Sequence, residues 1–467
     1  MRLKITILLL VFFLNKSYAN EIIKLPKHFK VESTFSGDLP DNKSFHLIFT
    51  KNTNTKNFEV FSYIYDGVKS EKLNTFVSEK PYGIVSFHYD NDIISLVLSY
   101  KIKKDYFVKR IGINTVTKAI EETEALPHDD LLTSIRNKKS STLIYKTKEE
   151  FIIRQFFGNL PLKKYKLEIK DKEHEIKKFF KDNNVSSINT NEFVSNGATS
   201  KVRVYSIGDK LIFTKENDSD NKTETLEVLF DKDNLKTSFK TFINTGEKKY
   251  KRNTSFIMDN RLYHLGVSKE EGSIKIWDIS SKKTLNEISI NDALISKSTT
   301  SKDFEGFEIF LKQASRKKHN PTITVNKTEN NNFLLRVDYV DVLYSYHYNW
   351  WWHHHMMMQM HQQMHMQNMM NSAPSFGPAF SDDYIFENYT LREENHHFEL
   401  LIDESGNMLP KDKRTDTIYK EIDKEEYIDT LDDIKGIKYK SSCFLEDSFR
   451  YIAYSKSFDG FVFKTNK

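Results

Sequence analysis

The residues best suited to chemistry are concentrated in one stretch, NWWWHHHMMMQMHQQMHMQNMMN, which runs from Asn349 to Asn371. It holds eight of the eleven methionines, five of the fifteen histidines and three of the four tryptophans in the sequence, and no charged residue. Thioether and imidazole groups are ligands for soft transition metals, and methionine-rich surfaces also adapt to varied apolar partners. The composition therefore indicates either metal binding or apolar docking.

The first hypothesis is that this stretch binds copper. Thioethers favour Cu(I), imidazole also accepts Cu(II), Zn²⁺ and Ni²⁺, and the lack of cysteine suits an oxidising compartment. No Gly or Pro lies between Trp350 and Asn371, so a helix could place His361 and His365 on one face. The candidate ligands are the histidines and methionines of the stretch: His353, His354, His355, Met356, Met357, Met358, Met360, His361, Met364, His365, Met366, Met369 and Met370.

The same residues support a resemblance. The stretch looks like the Met- and His-rich segments of exported copper-handling proteins, and this likeness implies a copper cofactor. It differs from those segments because it has no regular Met-X-X-Met or His-X-X-Met repeat, so the number of bound ions stays open.

The second hypothesis is docking. Trp350, Trp351 and Trp352, together with the methionines, would form an adaptable apolar surface for a protein partner or the membrane interface, where tryptophan is enriched. Histidine protonation would make such docking pH-dependent. A third interpretation is a low-complexity insertion with no dedicated role.

The N-terminus predicts export. Arg2 and Lys4 precede an apolar run from Ile5 to Leu14, and small residues at Ser17 and Ala19 mark the cleavage site of a secretory signal peptide over residues 1–19. We expect the mature protein in the periplasm or outside the cell, with association with the outer membrane also open. No later segment is long and apolar enough to predict a membrane span.

The net charge and the cysteine content bear on nucleic-acid binding and on disulfide formation. The net charge of the full chain is +5, and the signal peptide carries three cations and no acidic residue, so the mature chain keeps +2. This value gives no electrostatic case for nucleic acid. The single cysteine, Cys443, excludes an intramolecular disulfide, so stability must come from an ordinary apolar core.

Short runs rich in β-branched and aromatic residues dominate the chain and predict antiparallel strands. In the first half, we predict strands at Phe45–Thr50, Phe58–Tyr65, Gly83–Tyr89, Ile93–Tyr100, Tyr106–Ile113, Thr142–Tyr145 and Phe151–Phe157. The second half contains two sets of four: Val202–Ile207, Leu211–Lys215, Glu224–Phe230 and Thr237–Ile243, then Ser255–Met258, Leu262–Val267, Ser273–Trp277 and Thr284–Ile290.

Four-stranded units recurring every fifty to sixty residues are typical of a β-propeller, with one unit per blade. We predict a mainly β, antiparallel, propeller-like fold of about six to eight blades. Residues 20–467 would form one domain with an inserted loop at 349–380. The alternative architecture is a tandem pair of β-sandwiches.

One unit sharpens this prediction. Its segment LYHLGVSKEEGSIKIWDISSKKTL resembles a WD-repeat blade, because Trp277 and Asp278 end the third strand and a tight turn leads to the fourth. The Gly-His element of such repeats is absent. The resemblance covers one blade, implies a propeller-like fold and names no family; Trp277 could equally be a core aromatic residue.

The strands around the unusual stretch make it an insertion. Phe333–Tyr348 reads as a long alternating strand, and Tyr384–Leu391 followed by His397–Ile402 resumes the sheet. Helical patterns are few, with short amphipathic helices predicted at Glu173–Lys181 and Lys424–Ile434. Loops on a rigid scaffold commonly carry function, so the insertion is the candidate functional element.

The sequence predicts a non-enzymatic binding or scaffold protein. It has no nucleophile elbow, zinc-protease helix motif or phosphate-binding glycine loop. Two clusters, His128-Asp129-Asp130 and His396-His397, could ligate a metal, although such clusters are more often solvated turns. The pair Asp382 and Asp383 is too ordinary in an acidic-rich chain to indicate glycosidase chemistry.

Overall fold

The computed structural model describes residues 22–341 and 396–466, apart from residues 129, 159–160, 170–173, 182–184, 195–200, 233, 247–248, 423–426, 428–429, 432 and 446–447. Short strands make up most of these residues, and nearly all pairings between them are antiparallel. The strands group into consecutive units, which we number as blades 1 to 7.

Blades 1 to 4 take up the first half of the ring. Blade 1 contains β2 (Phe29–Leu39), β3 (Lys43–Asn52), β4 (Phe58–Tyr65), β5 (Ser70–Lys72) and β6 (Phe76–Ser78). Blade 2 contains β7 (Gly83–Asp90), β8 (Ile93–Ile102), β9 (Asp105–Asn114), β10 (Ile120–Glu122) and β11 (Leu126–Pro127). Blade 3 contains β12 (Leu131–Asn137), β13 (Ser140–Lys146), β14 (Glu150–Phe157) and β15 (Lys163–Glu168). Blade 4 contains β17 (Val202–Ile207), β18 (Lys210–Asn217), β19 (Lys222–Asp231) and β20 (Asn234–Ile243), with β16 (Val185–Ile188) beside β17.

Blades 5 to 7 take up the second half of the ring. Blade 5 contains β21 (Arg252–Met258), β22 (Arg261–Val267), β23 (Gly272–Asp278) and β24 (Thr284–Ser289). Blade 6 contains β25 (Ser298–Thr300), β26 (His319–Lys327), β27 (Phe333–Asp341) and β28 (Phe398–Ile402). Blade 7 contains β29 (Ile437–Phe444), β30 (Phe449–Ser455), β31 (Gly460–Asn466) and the N-terminal β1 (Ile22–Ile23). The described helices are α1 (Glu175–Phe179), α2 (Phe307–Ala314) and the 3₁₀ turns Asp292–Leu294 and Lys411–Lys413.

Asparagine and aspartate side chains explain several of the hairpins. Asn52 Oδ1 accepts hydrogen bonds from the backbone N–H groups of Asn54 (3.0 Å) and Thr55 (3.2 Å), and Asp278 Oδ1 accepts one from Ser281 N (2.7 Å). Each turn ends on a left-handed residue, Lys56 (φ 68°) or Lys282 (φ 57°). These side chains accept hydrogen bonds from backbone N–H groups of the tight turn. The Asn and Asp residues between the apolar runs of the sequence therefore determine where these strands end.

The first and last parts of the chain meet in blade 7. The N-terminal β1 pairs antiparallel with β31, so that Ile22 lies opposite Val462 and completes a sheet whose other strands come from the C-terminus. The inner strands of blades 1 and 7 also touch, because Thr34 Oγ1 donates a hydrogen bond to the Tyr439 carbonyl (2.9 Å). This closure defines a β-propeller and not a pair of sandwiches.

Apolar side chains fill the spaces between neighbouring blades. Phe35 and Phe45 of blade 1 pack against Phe87 of blade 2, with ring centroids 5.4 and 5.2 Å from the Phe87 ring. Phe151 of blade 3 and Phe213 of blade 4 enclose Phe180, which follows α1. Face-to-face packing of twisted sheets around an axis therefore buries both faces of each blade.

A segment of the chain lies against strands of blades 3, 4 and 6. β16 pairs in parallel with β17 and also contacts β12, the first strand of blade 3. The chain then reaches blade 6, where Val194 N donates to Asn326 Oδ1 (2.7 Å) and Asn326 Nδ2 donates to the Val194 carbonyl (2.8 Å). We call residues 185–194 the axial segment.

The propeller-like prediction is confirmed. The described strands form six hydrogen-bonded sheets, of which the nine-stranded one contains blades 3 and 4, joined by a parallel pairing of Lys166 with Asn234. Dividing that sheet between its two blades gives seven blades among the described residues. Every strand predicted at or before Ile290 lies within an observed strand or ends within one residue of it. The helix predicted at Glu173–Lys181 is observed as α1, whereas α2 was not predicted. Much of the predicted helix Lys424–Ile434, and all of the predicted strand Tyr384–Leu391, lie outside the described residues.

Candidate functional site

The insertion leaves and re-enters the ring on neighbouring strands of blade 6. β27 and β28 pair antiparallel, from Phe333 opposite Ile402 to Val337 opposite Phe398. β27 ends at Asp341, and the next residue that the structure describes is His396. All thirteen candidate metal ligands and Trp350, Trp351 and Trp352 lie outside the described residues, as do Asp382 and Asp383. The metal and docking hypotheses therefore stay predictions.

An aromatic stack marks the base of the insertion. The Tyr339 ring stacks on His319 (centroids 4.8 Å apart, interplanar angle 23°) and on His396 (5.2 Å, 8°). Phe310 of α2 also contacts Tyr339, at 5.4 Å. Both ends of the insertion are thereby packed against the body of blade 6.

Backbone carbonyls orient the two stacked histidines. The Nδ1 atom of His396 lies 2.9 Å from the Asp303 carbonyl, and that of His319 lies 2.8 Å from the Gln313 carbonyl. A carbonyl only accepts, so Nδ1–H must donate in each case, and Nε2 carries the lone pair of the neutral ring. This tautomer is typical of metal-ligating histidines, but neither ring belongs to a group of three or more potential ligands among the described residues.

Among the described residues, neither of the two His clusters brings together enough ligands for a metal site. His397 Nε2 lies 4.0 Å from Glu399 Oε1, on the other side of blade 6 from the stack. His128 Nδ1 is 2.8 Å from Tyr145 Oη, and burial together with Arg154 lowers the pKa of His128 to about 4. Asp129 lies outside the described residues, which contain no group of three or more His, Cys, Asp or Glu side chains that could hold a metal.

A buried ion-pair network lies on the face of blade 6 opposite the stack. Arg336 Nε donates to Glu399 Oε1 at 2.9 Å, and Arg414 also pairs with Glu399. Glu421 binds Arg336 with both oxygens, Nη1–Oε1 at 2.8 Å and Nη2–Oε2 at 3.1 Å. Burial opposes ionisation of Glu399, but the charges of Arg336 and Arg414 outweigh it and lower the pKa of Glu399.

One feature of the sequence is sufficient to predict part of this network. In the run FLLRVDYV, Arg336 and Asp338 alternate with apolar residues on a strand that has neighbours on both sides. A charged residue on such a strand is buried and must be paired, because an uncompensated buried charge costs several kcal/mol. The partners Arg414 and Glu421 come from an irregular segment, and no pattern identifies them in advance.

Comparison with known proteins finds similar solved structures but no family. No protein-family model matches the sequence, and no curated protein matches it. Solved structures similar to this chain include a prolyl endopeptidase (9% identity, 93% of this chain and 50% of that chain, TM-score 0.35). The WD40 domain of SCAP from fission yeast is also similar, with 9% identity, coverage of 69% of this chain and 87% of that chain, and a TM-score of 0.26. A third similar structure is the β-propeller domain of the Trilobed protease from Pyrococcus furiosus, with 9% identity, coverage of 66% of this chain and 85% of that chain, and a TM-score of 0.29. The chain spans about half the length of the prolyl endopeptidase, and TM-scores this low carry no argument about function.

The observed strand order and ring closure define the class as a propeller-like protein. The WD-like unit is blade 5, in which Trp277 and Asp278 end β23 as expected. Trp277 packs on Phe242 of blade 4 with centroids 5.6 Å apart, so it acts as a core aromatic residue between blades. Among the described helices, none is long and apolar enough to cross a membrane.

Proposed function

We propose that this protein is an exported, non-enzymatic binding protein whose propeller presents residues 349–371 to a soft transition metal, with copper preferred. The observation that carries the proposal is the position of the insertion, which interrupts one antiparallel strand pair, β27 and β28. A rigid scaffold is where binding loops are commonly placed.

The packing around β28 supports a presenting role. Phe398, the first residue of β28, contacts Phe304, Phe307 and Phe310, with ring centroids 5.0 to 5.9 Å apart. Phe398 is fully buried. The return point of the insertion is therefore anchored in the core, and the pairing of β27 with β28 fixes the separation of the two strands that flank it.

The choice of metal rests on ligand chemistry. The stretch supplies eight thioethers and five imidazoles without a carboxylate or thiolate. Such a donor set disfavours Mg²⁺ and Ca²⁺, which require oxygen ligands, and favours Cu(I), with imidazole extending the range to Cu(II). A site would use three or four of these side chains.

Three matched variants test the proposal: all eight methionines of 349–371 to Leu, all five histidines to Gln, and Trp350, Trp351 and Trp352 to Ser. We expect the Leu variant to bind Cu(I) at least about tenfold more weakly than the native chain, because leucine keeps the bulk but removes sulfur. The Ser variant should bind copper as the native chain does.

The same panel identifies the docking alternative. If the Ser variant alone loses retention on vesicles or on a partner, while copper affinity is equal in all chains, the stretch is an apolar docking surface. Equal copper affinity in the native, Leu and Gln chains contradicts the copper proposal. Circular dichroism at each step verifies that the propeller has folded.

A further inference from the structure

The pairing of Glu421 with Arg336 has the geometry of a bound ligand. We infer that the Arg336 guanidinium is a binding site for a carboxylate ligand and that Glu421, from the chain itself, occupies it in this structure. Both Glu421 oxygens face the two Nη atoms, at 2.8 and 3.1 Å. This bidentate fork is the arrangement by which arginine recognises free carboxylates.

The arginine is held in place independently of Glu421. Glu399 Oε1 accepts hydrogen bonds from Arg336 Nε (2.9 Å) and lies 2.8 Å from Nη2, and only 4% of the Glu399 side chain is exposed. Phe193 of the axial segment faces the guanidinium, with its ring centre 5.6 Å from Cζ. The Arg336 side chain is 10% exposed, so its orientation is fixed by neighbours that remain when Glu421 leaves.

Glu421 itself is poorly anchored by comparison. Its side chain is 46% exposed, against 4% for Glu399, and it belongs to neither a helix nor a strand. Glu421 is the solvent-exposed partner of this pair, so it can leave Arg336 at a lower cost in free energy than a buried carboxylate such as Glu399. Exchange also leaves the local charge unchanged, since one carboxylate replaces another.

Neighbouring charges define the class of ligand. Arg414 lies beside Glu399 with its side chain 37% exposed and adds a second cation at the open edge. Asp338 is buried on the same face of β27, and His397 lies 4.0 Å from Glu399. The fixed carboxylates of Asp338 and Glu399 repel a dianion, so the site suits a single planar carboxylate and not a phosphate. A small carboxylic acid and the C-terminus of a peptide both supply one.

The internal carboxylate makes the site autoinhibited. A ligand must compete with Glu421, and its apparent affinity falls in proportion to the fraction of molecules in which the site is open. The variant Glu421→Gln removes the competing charge while keeping side-chain size. It should therefore bind a carboxylate more tightly than the native chain does.

Calorimetric titration of the full chain tests this inference. The probes are N-acetylalanine, for a small acid, and N-acetyl-trialanine, for a peptide terminus, each compared with its C-terminal amide. We expect E421Q to bind one or both acids at least about tenfold more tightly than the native chain, and neither amide. The matched control E404Q, an exposed glutamate in the preceding turn, should behave as native.

A second variant separates ligand binding from structure. Combining E421Q with R336K keeps the charge but removes the fork, and should abolish the gain in affinity. Equal affinity of the native and E421Q chains, or equal binding of acid and amide, would overturn the inference and leave an ion pair with a structural role. Because the comparison of acid and amide needs only E421Q, it stands even if R336K fails to fold. Repeating it in a chain lacking 350–370 separates this result from the copper proposal.

Discussion

Ser36 Oγ and Ser441 Oγ lie 2.8 Å apart, although 405 residues separate them in the chain. Ser36 is on β2 and Ser441 on β29, so this hydrogen bond joins the first and last blades. Ser36 also bonds to His46 Nδ1 at 2.7 Å. Together with the pairing of β1 and β31, these contacts close the ring both at its inner strands and at its outer edge.

Closure by β1 depends on a glycine in the partner strand. A Cβ on Gly460 would lie 2.6 Å from Ile22 Cγ2 and 3.0 Å from the Ile23 carbonyl. We expect Gly460→Ala to displace β1 and lower the free energy of unfolding by about 1–3 kcal/mol, measured by urea denaturation. The control Gly83→Ala, which meets only the movable Ser99 hydroxyl at 3.2 Å, should change stability by less than about 1 kcal/mol. Equal effects of the two substitutions would contradict this role for β1.

Three buried histidines predict that stability falls in mild acid. Burial lowers the pKa of His46, His88 and His264 to about 3, and Arg450 adds to the effect at His46. The unfolded chain, with pKa values near 6.5, therefore binds more protons than the folded chain below that pH. Their contribution is complete above pH 6.5 and is lost as the pH falls towards 3, at about 2 kcal/mol per histidine by pH 5.

Urea denaturation between pH 7.5 and 4.5 measures this loss. The variant His46→Asn removes one titrating group, so its stability should fall less steeply with pH by roughly one proton. Identical slopes in the native and His46→Asn chains would show that His46 is not a proton-linked group.

A buried ion pair within blade 4 is hydrogen-bonded to blade 5. Arg203 Nη1 lies 3.0 Å from Glu216 Oε1, their side chains are 4% and 5% exposed, and Ser255 N donates to Glu216 at 3.1 Å. We expect Glu216→Gln to destabilise the protein by about 3–5 kcal/mol, because it leaves a buried cation uncompensated. Thermal unfolding measures this loss. The exposed pair of Lys236 and Asp231 is the control, and Asp231→Asn should lower the free energy of unfolding by less than about 1 kcal/mol.

Asn326 should hold the axial segment in the ring. Asn326→Ala removes both hydrogen bonds to Val194 and leaves a buried N–H and C=O without this partner, at about 1–3 kcal/mol for each. Hydrogen exchange should then rise in residues 185–194 before it rises elsewhere. Asn320→Ala, at a partly exposed position on the same strand, is the control. Unchanged exchange in the axial segment would mean that other contacts retain it.

The strands of the middle of the chain could be predicted because local chemistry decides them. In blade 5, β-branched runs alternate with turn residues such as Asp259 and Asp278, and the observed strands match the pattern. The strand β2 was not predicted, because its sequence FKVESTFSGDL contains several polar residues. One of them, Ser36, is buried by its contact with Ser441 of blade 7, and a contact between residues so far apart in the sequence cannot be predicted from a local pattern.

The candidate site was predicted less completely for the same reason. Composition alone identifies the stretch at 349–371, because it holds eight of the eleven methionines and three of the four tryptophans of the chain. The residues that anchor it, including Tyr339 and His396, depend on stacking between segments far apart in sequence. The carboxylate site likewise joins Arg336 to Glu421 across 85 residues.

The most direct test of the central claim is an anaerobic Cu(I) titration of the mature chain against a competing chelator, beside a variant lacking residues 350–370. Zn²⁺ and Ni²⁺ serve as comparison ions. The proposal predicts tight Cu(I) binding by the native chain and its loss in the deletion variant, with weaker binding of the other two ions. Copper binding no tighter in the native chain than in the variant would contradict a metal-binding role for the insertion.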